Sequence, residues 1–245
     1  MGLLAKYRFF WETEAPTIIY LLYPLFSLKR KLSKSADRAI ISKISRELDG
    51  LGRFNANFFD GNAAEWIKVF QRQQLQNQKL DILEIGSWEG RSAVFFLHYF
   101  PSATVTCVDT WEGSDEHSKD ETLQNIETLY DSNLAQFCER VKKFKGTSLQ
   151  FFAGSGPTEK YDLVYIDGSH YVDDVACDIL NAFRCLRPNG LLICDDYLWN
   201  WYPRSRDNPA IAVHYLLRQK KELCKILNVT GYQIIIKKLK NTNYA

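Results

Sequence analysis

No stretch of this 245-residue chain is both apolar enough and long enough to cross a bilayer. The nearest approach, Thr17 to Leu28 (TIIYLLYPLFSL), is short, contains Pro24, and lacks the basic start and small-residue cleavage site of a secretory leader, so it is expected to stay in the mature protein. Cys-x-x-Cys pairs are also missing. The six cysteines (107, 138, 177, 185, 194 and 224) include two inside strand-like apolar runs, and they read as reduced core thiols in a reducing compartment, the cytoplasm. A dominant charge sign is lacking too: 31 Lys and Arg against 29 Asp and Glu leave +2. That is too mild for a face that tracks phosphates, which argues against a nucleic-acid partner. Repeats and low-complexity segments are absent. What remains, 46% hydrophobic and 24% charged, suits one large core of enzyme size with an extension.

The extension is residues 1–50, expected as a helical arm; residues 51–245 are the expected catalytic domain. Followed by Lys29-Arg30-Lys31, the Thr17–Leu28 segment suits either packing on the domain or a partner subunit, or peripheral contact with an anionic membrane surface. Beyond residue 50 the pattern alternates. Ala63, Ile67, Phe70 and Gln74 mark a helix, Leu80 to Ile85 a strand, Arg91 to Tyr99 a helix and Thr104 to Val108 a strand. Asp120 to Cys138 reads as helix, Val141 to Lys145 and Tyr161 to Ile166 as strands, and Asp174 to Leu186 as helix closed by a Pro188-Asn189-Gly190 turn. Leu191 to Cys194 is a strand, a helix follows Pro209, and Lys225 to Val229 with Tyr232 to Lys238 form a hairpin. The fold class is therefore α/β: a doubly wound, mostly parallel sheet with an antiparallel C-terminal edge.

In such sheets ligands bind outside the carboxyl ends of the strands, and here those ends carry the chemistry. Tyr161-Asp-Leu-Val-Tyr-Ile-Asp-Gly-Ser-His170 ends in Asp167 and His170, and Leu191-Leu-Ile-Cys-Asp-Asp-Tyr197 ends in Asp195 and Asp196. The first strand ends in Glu84-Ile-Gly-Ser-Trp-Glu-Gly90. Gly86 permits a sharp turn and Gly90 a close approach by ligand or by the next element. Asp109 closes the second strand 23 residues after Gly86, a placement suited to ribose hydroxyls. Trp88 stands at the middle glycine position of Gly-x-Gly-x-x-Gly, so a nucleoside fits better than a dinucleotide pyrophosphate.

Glu84-x-Gly86-x-x-x-Gly90, Asp109 and the Lys145-Gly-Thr-Ser148 turn resemble the cofactor motifs of class I S-adenosylmethionine-dependent methyltransferases, with a Rossmann-like fold over roughly residues 60–245. Val108-Asp-Thr-Trp111, Ile166-Asp-Gly-Ser-His170 and Cys194-Asp-Asp-Tyr197 are similar to the metal-dependent macrocin-type O-methyltransferase branch. The resemblance implies that Gly86 and Gly90 lie beside the methionine part of S-adenosylmethionine, Asp109 at the ribose and Ser148 near the adenine. It places Glu84, Ser87, Thr110, Trp111 and Asp167 in the same pocket. It further implies Mg²⁺ on Asp167, Asp195 and Asp196, with His170 as base. Asp196 departs from the amide that metal-dependent catechol-type enzymes carry at the last position, which leaves the ligand count open.

The residue types suit that chemistry. Methyl transfer from a sulfonium needs an aligned, partly deprotonated nucleophile, which a free alcohol is not. Hard carboxylate ligands suit Mg²⁺, which leaves positions where a hydroxyl can bind and have its pKa lowered. A nearby histidine can take the proton. Asp167 and Asp195 could instead cap the turns that follow them, and His170 could be a turn residue. Tyr197-Leu-Trp-Asn-Trp-Tyr-Pro-Arg-Ser-Arg206 reads as a substrate lid in which Tyr197, Trp199, Trp201, Tyr202 and Arg204 meet a small-molecule or glycan acceptor. Phe54, Phe58 and Phe59 are the expected opposite wall. The rival readings are a metal-free methyltransferase using His170, at oxygen or nitrogen, and an NAD-dependent oxidoreductase.

Overall fold

The computed structural model describes residues 2–113, 125–155 and 160–241. It holds eight helices among them, α1 (Leu3–Glu12), α2 (Thr17–Asp49), α3 (Asp60–Arg72), α4 (Arg91–Tyr99), α5 (Ile126–Leu134), α6 (Ser148–Ser155), α7 (Val172–Cys185) and α8 (Ala210–Gln219). The strands are β1 (Asp81–Ile85), β2 (Thr104–Asp109), β3 (Val141–Lys145), β4 (Tyr161–Ile166), β5 (Leu186–Cys194), β6 (Cys224–Val229) and β7 (Ile234–Lys238). They make one mixed seven-stranded sheet in the order β3-β2-β1-β4-β5-β7-β6. The β1–β2, β2–β3 and β4–β5 pairs are parallel, and β7 runs antiparallel to both β5 and β6. This is the Rossmann-like architecture expected from the alternation.

The chain divides into two compact units, residues 34–156 and residues 1–33 with 157–245. In the first, β2 is central among its parallel neighbours and an aromatic core fills the helical side. Trp66 stacks on Phe96 at 5.1 Å between ring centres and meets Phe59 at 5.0 Å. Such rings bury large apolar areas and prefer these offset or edge contacts. One charged group interrupts the core. Arg91 is almost fully buried and donates through Nε and Nη2 to both oxygens of Asp60 (2.7 and 2.6 Å), and through Nη1 to Asp49 (2.9 Å). A fork of this kind satisfies a guanidinium that burial would otherwise penalise, and it ties together the starts of α3 and α4 and the end of α2.

In the second unit α7 packs against β4, β5 and α8, and Tyr165, Phe183, Ile193 and Ile235 are buried. Helix α1 and the part of α2 up to residue 33 belong here. Phe10 is fully buried, lies 6.5 Å from the ring of Tyr197 in a stacked arrangement, and packs edge-on against His214. His214 Nδ1 lies 3.0 Å from the Thr13 carbonyl, and its Nε2 lies 2.6 Å from the Tyr197 hydroxyl. Arg206 and Arg218 pair with Glu14.

Several boundaries differ from expectation. The Pro188-Asn189-Gly190 turn is absorbed into β5 as a bulge: the register steps from Tyr161–Leu186 to Leu163–Leu191, with Asn189 at φ +69°. An extra length in one strand is accommodated in this way without breaking the ladder. The helix expected from Asp120 is described only from residue 125, where α5 passes into a 3₁₀ turn, Ala135–Arg140; His117 lies outside the described residues. Three cysteines (107, 185, 194) are buried as anticipated, whereas Cys138 and Cys177 are exposed, and all six are free.

Candidate active site

Each unit carries one cluster of functional side chains. In the 34–156 unit it is the turn after β1. Gly86 turns at φ +85°, its N–H bonded to the Val108 carbonyl, and Trp88 holds a left-handed conformation (φ +48°) that non-glycine residues rarely adopt. Asp109 holds that conformation. Its Oδ2 accepts from the Ser87 and Trp88 N–H groups (2.7 and 2.8 Å) and its Oδ1 from Trp111 N–H (2.7 Å). The expected ribose ligand is thus also the clamp of the turn. Trp111 (φ +54°) is 6% exposed, packs on Tyr130 and donates its indole N–H to the Trp88 carbonyl (2.9 Å). It is a buried support of the turn. Thr110 accepts from Glu112 N–H (3.3 Å), and Ser148 opens α6 after the expected 145–148 turn.

Gly90 has a reason other than ligand approach. At φ +81° it starts α4, and a Cβ there would lie 2.3 Å from Leu134 Cδ2 and 3.1 Å from Tyr130 Cδ2. Two residues that no local pattern signalled hold the turn from behind. Glu89 accepts from Asn55 N–H (2.8 Å), and Asn133 donates to the carbonyls of Arg53 and Glu89 (2.9 Å each).

Glu84 Oε1 and Ser87 Oγ are buried at this turn without a hydrogen-bond partner. Orphaned buried polar atoms are rare in folded proteins. Burial lifts the Glu84 carboxyl to about 7. Between its ordinary value near 4.5 and 7 the folded protein therefore holds a proton that the unfolded chain has released, so this group's contribution falls as pH rises through that window. Glu84→Gln should be more stable than the parent by roughly 3 kcal/mol at pH 8, with the difference vanishing near pH 4. Urea denaturation of both proteins across that range checks this; a constant difference would refute it.

The second cluster lies at the ends of β4 and β5. One donor atom from each of Asp167, His170 and Asp196 falls within 4.8 Å of the others. His170 Nε2 lies 2.7 Å from Asp196 Oδ2, and its ring stacks on Trp199 at 4.8 Å. Asp196 turns at φ +49°, a conformation aspartate tolerates better than most residues, and this re-aims it relative to Asp195. Asp195, expected as the third metal ligand, is not in the group. Its oxygens are taken by Gln233 Nε2 (2.7 Å), the Asp196 N–H (2.9 Å) and the Tyr165 hydroxyl (2.5 Å). Burial, then the charge of Asp196, raises its carboxyl above the usual range. The Tyr165 hydroxyl also reaches Asp167 Oδ2 (2.7 Å), so its single proton is shared between the two carboxylates. Tyr165 shares a strand face with Asp167 two residues on, a legible signal that was missed; Gln233, in the hairpin loop, gave none.

The aromatic segment is split. Trp199 and Trp201 stack at 6.2 Å, Trp201 is 70% exposed, and Tyr202 stacks on Tyr171 at 5.1 Å. The Trp199 indole N–H is buried without a partner. Tyr197 corrects the expected lid: it is fully buried against Phe10 and His214. Arg204 is exposed and bound by both oxygens of Asp207. Of the expected opposite wall only Phe58 is exposed. Phe59 is in the core, and Phe54 lies under the Arg91 guanidinium at 4.8 Å.

Residues 83–197, just under half of the chain, match the family described as Methyltransf_24, a methyltransferase domain. The chain is 27% identical over 134 residues to the mycinamicin VI 2''-O-methyltransferase of Micromonospora griseorubida, covering 52% of this chain and 29% of that protein. Its fold is similar to that of MycE methyltransferase from the mycinamycin biosynthetic pathway, solved with Mg, SAH and mycinamycin VI. The TM-score is 0.56 at 18% identity, over 84% of this chain and 56% of that one. The O-methyltransferase from Bacillus cereus, solved with SAH, gives 0.53 at 17% identity over 91% and 100%. The chain spans less than two thirds of the mycinamicin relatives it matches. The 83–197 segment is thus similar to a methyltransferase domain, and both residue clusters lie on or beside it.

Proposed function

We propose that the chain transfers the methyl group of S-adenosylmethionine to a hydroxyl of a small molecule or sugar, with a divalent metal, in the cytoplasm. The observation that carries the metal-assisted reading is the convergence of Asp167, His170 and Asp196 at the ends of two parallel strands. Two carboxylates suffice for Mg²⁺, which keeps several waters, and the added imidazole also admits Mn²⁺. The turn from Glu84 to Gly90, with Asp109, Thr110, Trp111 and Ser148, receives the cofactor in this reading. The unpartnered Glu84 and Ser87 atoms fit a ligand with polar groups.

When bound, the cofactor would supply an electrophilic methyl and the metal a Lewis acid that lowers the pKa of the acceptor hydroxyl. The chain's residues do the rest. Asp167 and Asp196 orient the acceptor oxygen, Asp167 itself being fixed by Tyr165. His170, its ring stacked on Trp199, takes the proton. Trp199, Trp201 and Tyr202 offer flat faces to a ring or sugar. A metal-free reading, with His170 and Asp196 as a base dyad, is favoured by their 2.7 Å contact.

Cofactor choice is tested by thermal shift. S-adenosylhomocysteine at about 100 times its Kd should stabilise by about 2.7 kcal/mol, and NAD should not. Stabilisation by NAD alone would leave the oxidoreductase reading in its place.

A further inference from the structure

The first two helices carry apolar surface that the fold does not cover. On α2, Ile18, Leu21, Leu25, Leu28 and Leu32 are 46–80% exposed. Their spacing of three and four residues puts them in one stripe, on the opposite side from the buried Ile19 and Tyr23. On α1, Leu4 and Trp11 are 88% and 76% exposed and lie two turns apart on one face. Isolated exposed leucines are ordinary, but a continuous stripe of this length is not.

The charges beside the stripe say what covers it. Residues 17–36 contain Lys29, Arg30, Lys31 and Lys34 and no acid. Lys29, Arg30 and Lys31 are exposed and have no ion pair among the described residues. Lys29 and Lys31 flank the stripe one on each side, where long stems can lie along an apolar surface with the ammonium groups in the headgroup layer. We propose that this face docks on an anionic lipid surface, with the helix lying in the plane of the headgroups. An apolar stripe whose flanking charges, over residues 17–36, are all basic is the pattern of interfacial helices. Among the described residues no helix is long and apolar enough to cross a membrane, and the contact proposed is a peripheral one. A second copy of the chain would also cover a stripe with this spacing, but any pairing that brings the 29–31 clusters together sets like charges against one another.

The test is sedimentation of the full chain with vesicles of phosphatidylcholine alone or mixed with phosphatidylglycerol. Binding is expected to the mixed vesicles, weakened roughly tenfold or more on the neutral ones and in Lys29→Glu/Lys31→Glu. Leu21→Ser/Leu25→Ser/Leu28→Ser should abolish it while keeping the melting temperature, since these side chains touch water in the free protein. Absence of binding, equal binding to both vesicle types, or binding unchanged in the leucine variant overturns the proposal. So does a dimer, seen by light scattering, that the leucine variant splits.

Discussion

Asp196→Asn is expected to lower affinity for Mg²⁺ or Mn²⁺ by at least about 100-fold and to remove methyl transfer, while leaving the melting temperature within about 1 °C and S-adenosylhomocysteine binding intact. The reasons are geometric. Asp196 is the member of the cluster with least structural employment, since it is half-buried, pairs with His170 and makes no other side-chain hydrogen bond among the described residues. An amide keeps its shape and the left-handed turn, which asparagine adopts as readily. Asp195→Asn should behave in the opposite way. It should weaken the metal only a few-fold and destabilise the protein, because its carboxyl is locked between Tyr165 and Gln233. Titration calorimetry with Mn²⁺ on both variants distinguishes them. Equal metal loss would return Asp195 to the ligand set, and full activity of Asp196→Asn in a chelator would remove the metal from the mechanism.

The second large effect belongs to Asp109. Asp109→Ala strips the acceptor from three backbone N–H groups and releases two tryptophans from left-handed conformations, so a loss of roughly 3–4 kcal/mol of stability is expected along with cofactor binding. Alanine alone cannot separate clamp from ligand. Asp109→Asn retains one accepting oxygen and can keep the Ser87 and Trp88 bonds, so it should fold with a smaller loss yet bind S-adenosylhomocysteine at least about tenfold more weakly if the carboxylate meets the ribose. Chemical denaturation and calorimetry give the two readings independently. Asn binding as well as Asp would leave Asp109 with the clamp alone.

Elements whose signals are local were legible. Arg91–Tyr99, Val141–Lys145 and Tyr161–Ile166 come out with the expected boundaries because β-branched runs and helical spacing decide them within a few residues. The carboxylates at the strand ends were equally plain. Their division of labour was not, because a strand pattern cannot say that Asp196 would invert its backbone and turn away from Asp195. Tyr197 was misread for a different cause: its partners, Phe10, Thr13 and His214, are distant in sequence, and the aromatic run looked uniform from residue 197 to residue 202. Arg91 likewise resembled any helix-start arginine until Asp60 and Asp49 closed on it.

The buried His214 has a further consequence for the proton inventory. With Nδ1–H given to the Thr13 carbonyl, Nε2 is bare and must accept from the Tyr197 hydroxyl, so the ring has one tautomer and no room for a second proton. Burial, aided by Arg218, lowers it to about 4 in spite of the Thr13 carbonyl. From its ordinary 6.5 down to 4 the unfolded chain binds a proton that the native ring refuses, so stability from this group is present above 6.5 and is lost as acid is added. Glu84 does the reverse over nearly the same interval. One buried acid retains its proton while one buried base declines its own, and the two slopes offset each other from about 4.5 to about 6.5. A nearly level stability profile across mildly acidic pH would then be the sum of two steep and opposite dependences, each revealed when its partner is replaced.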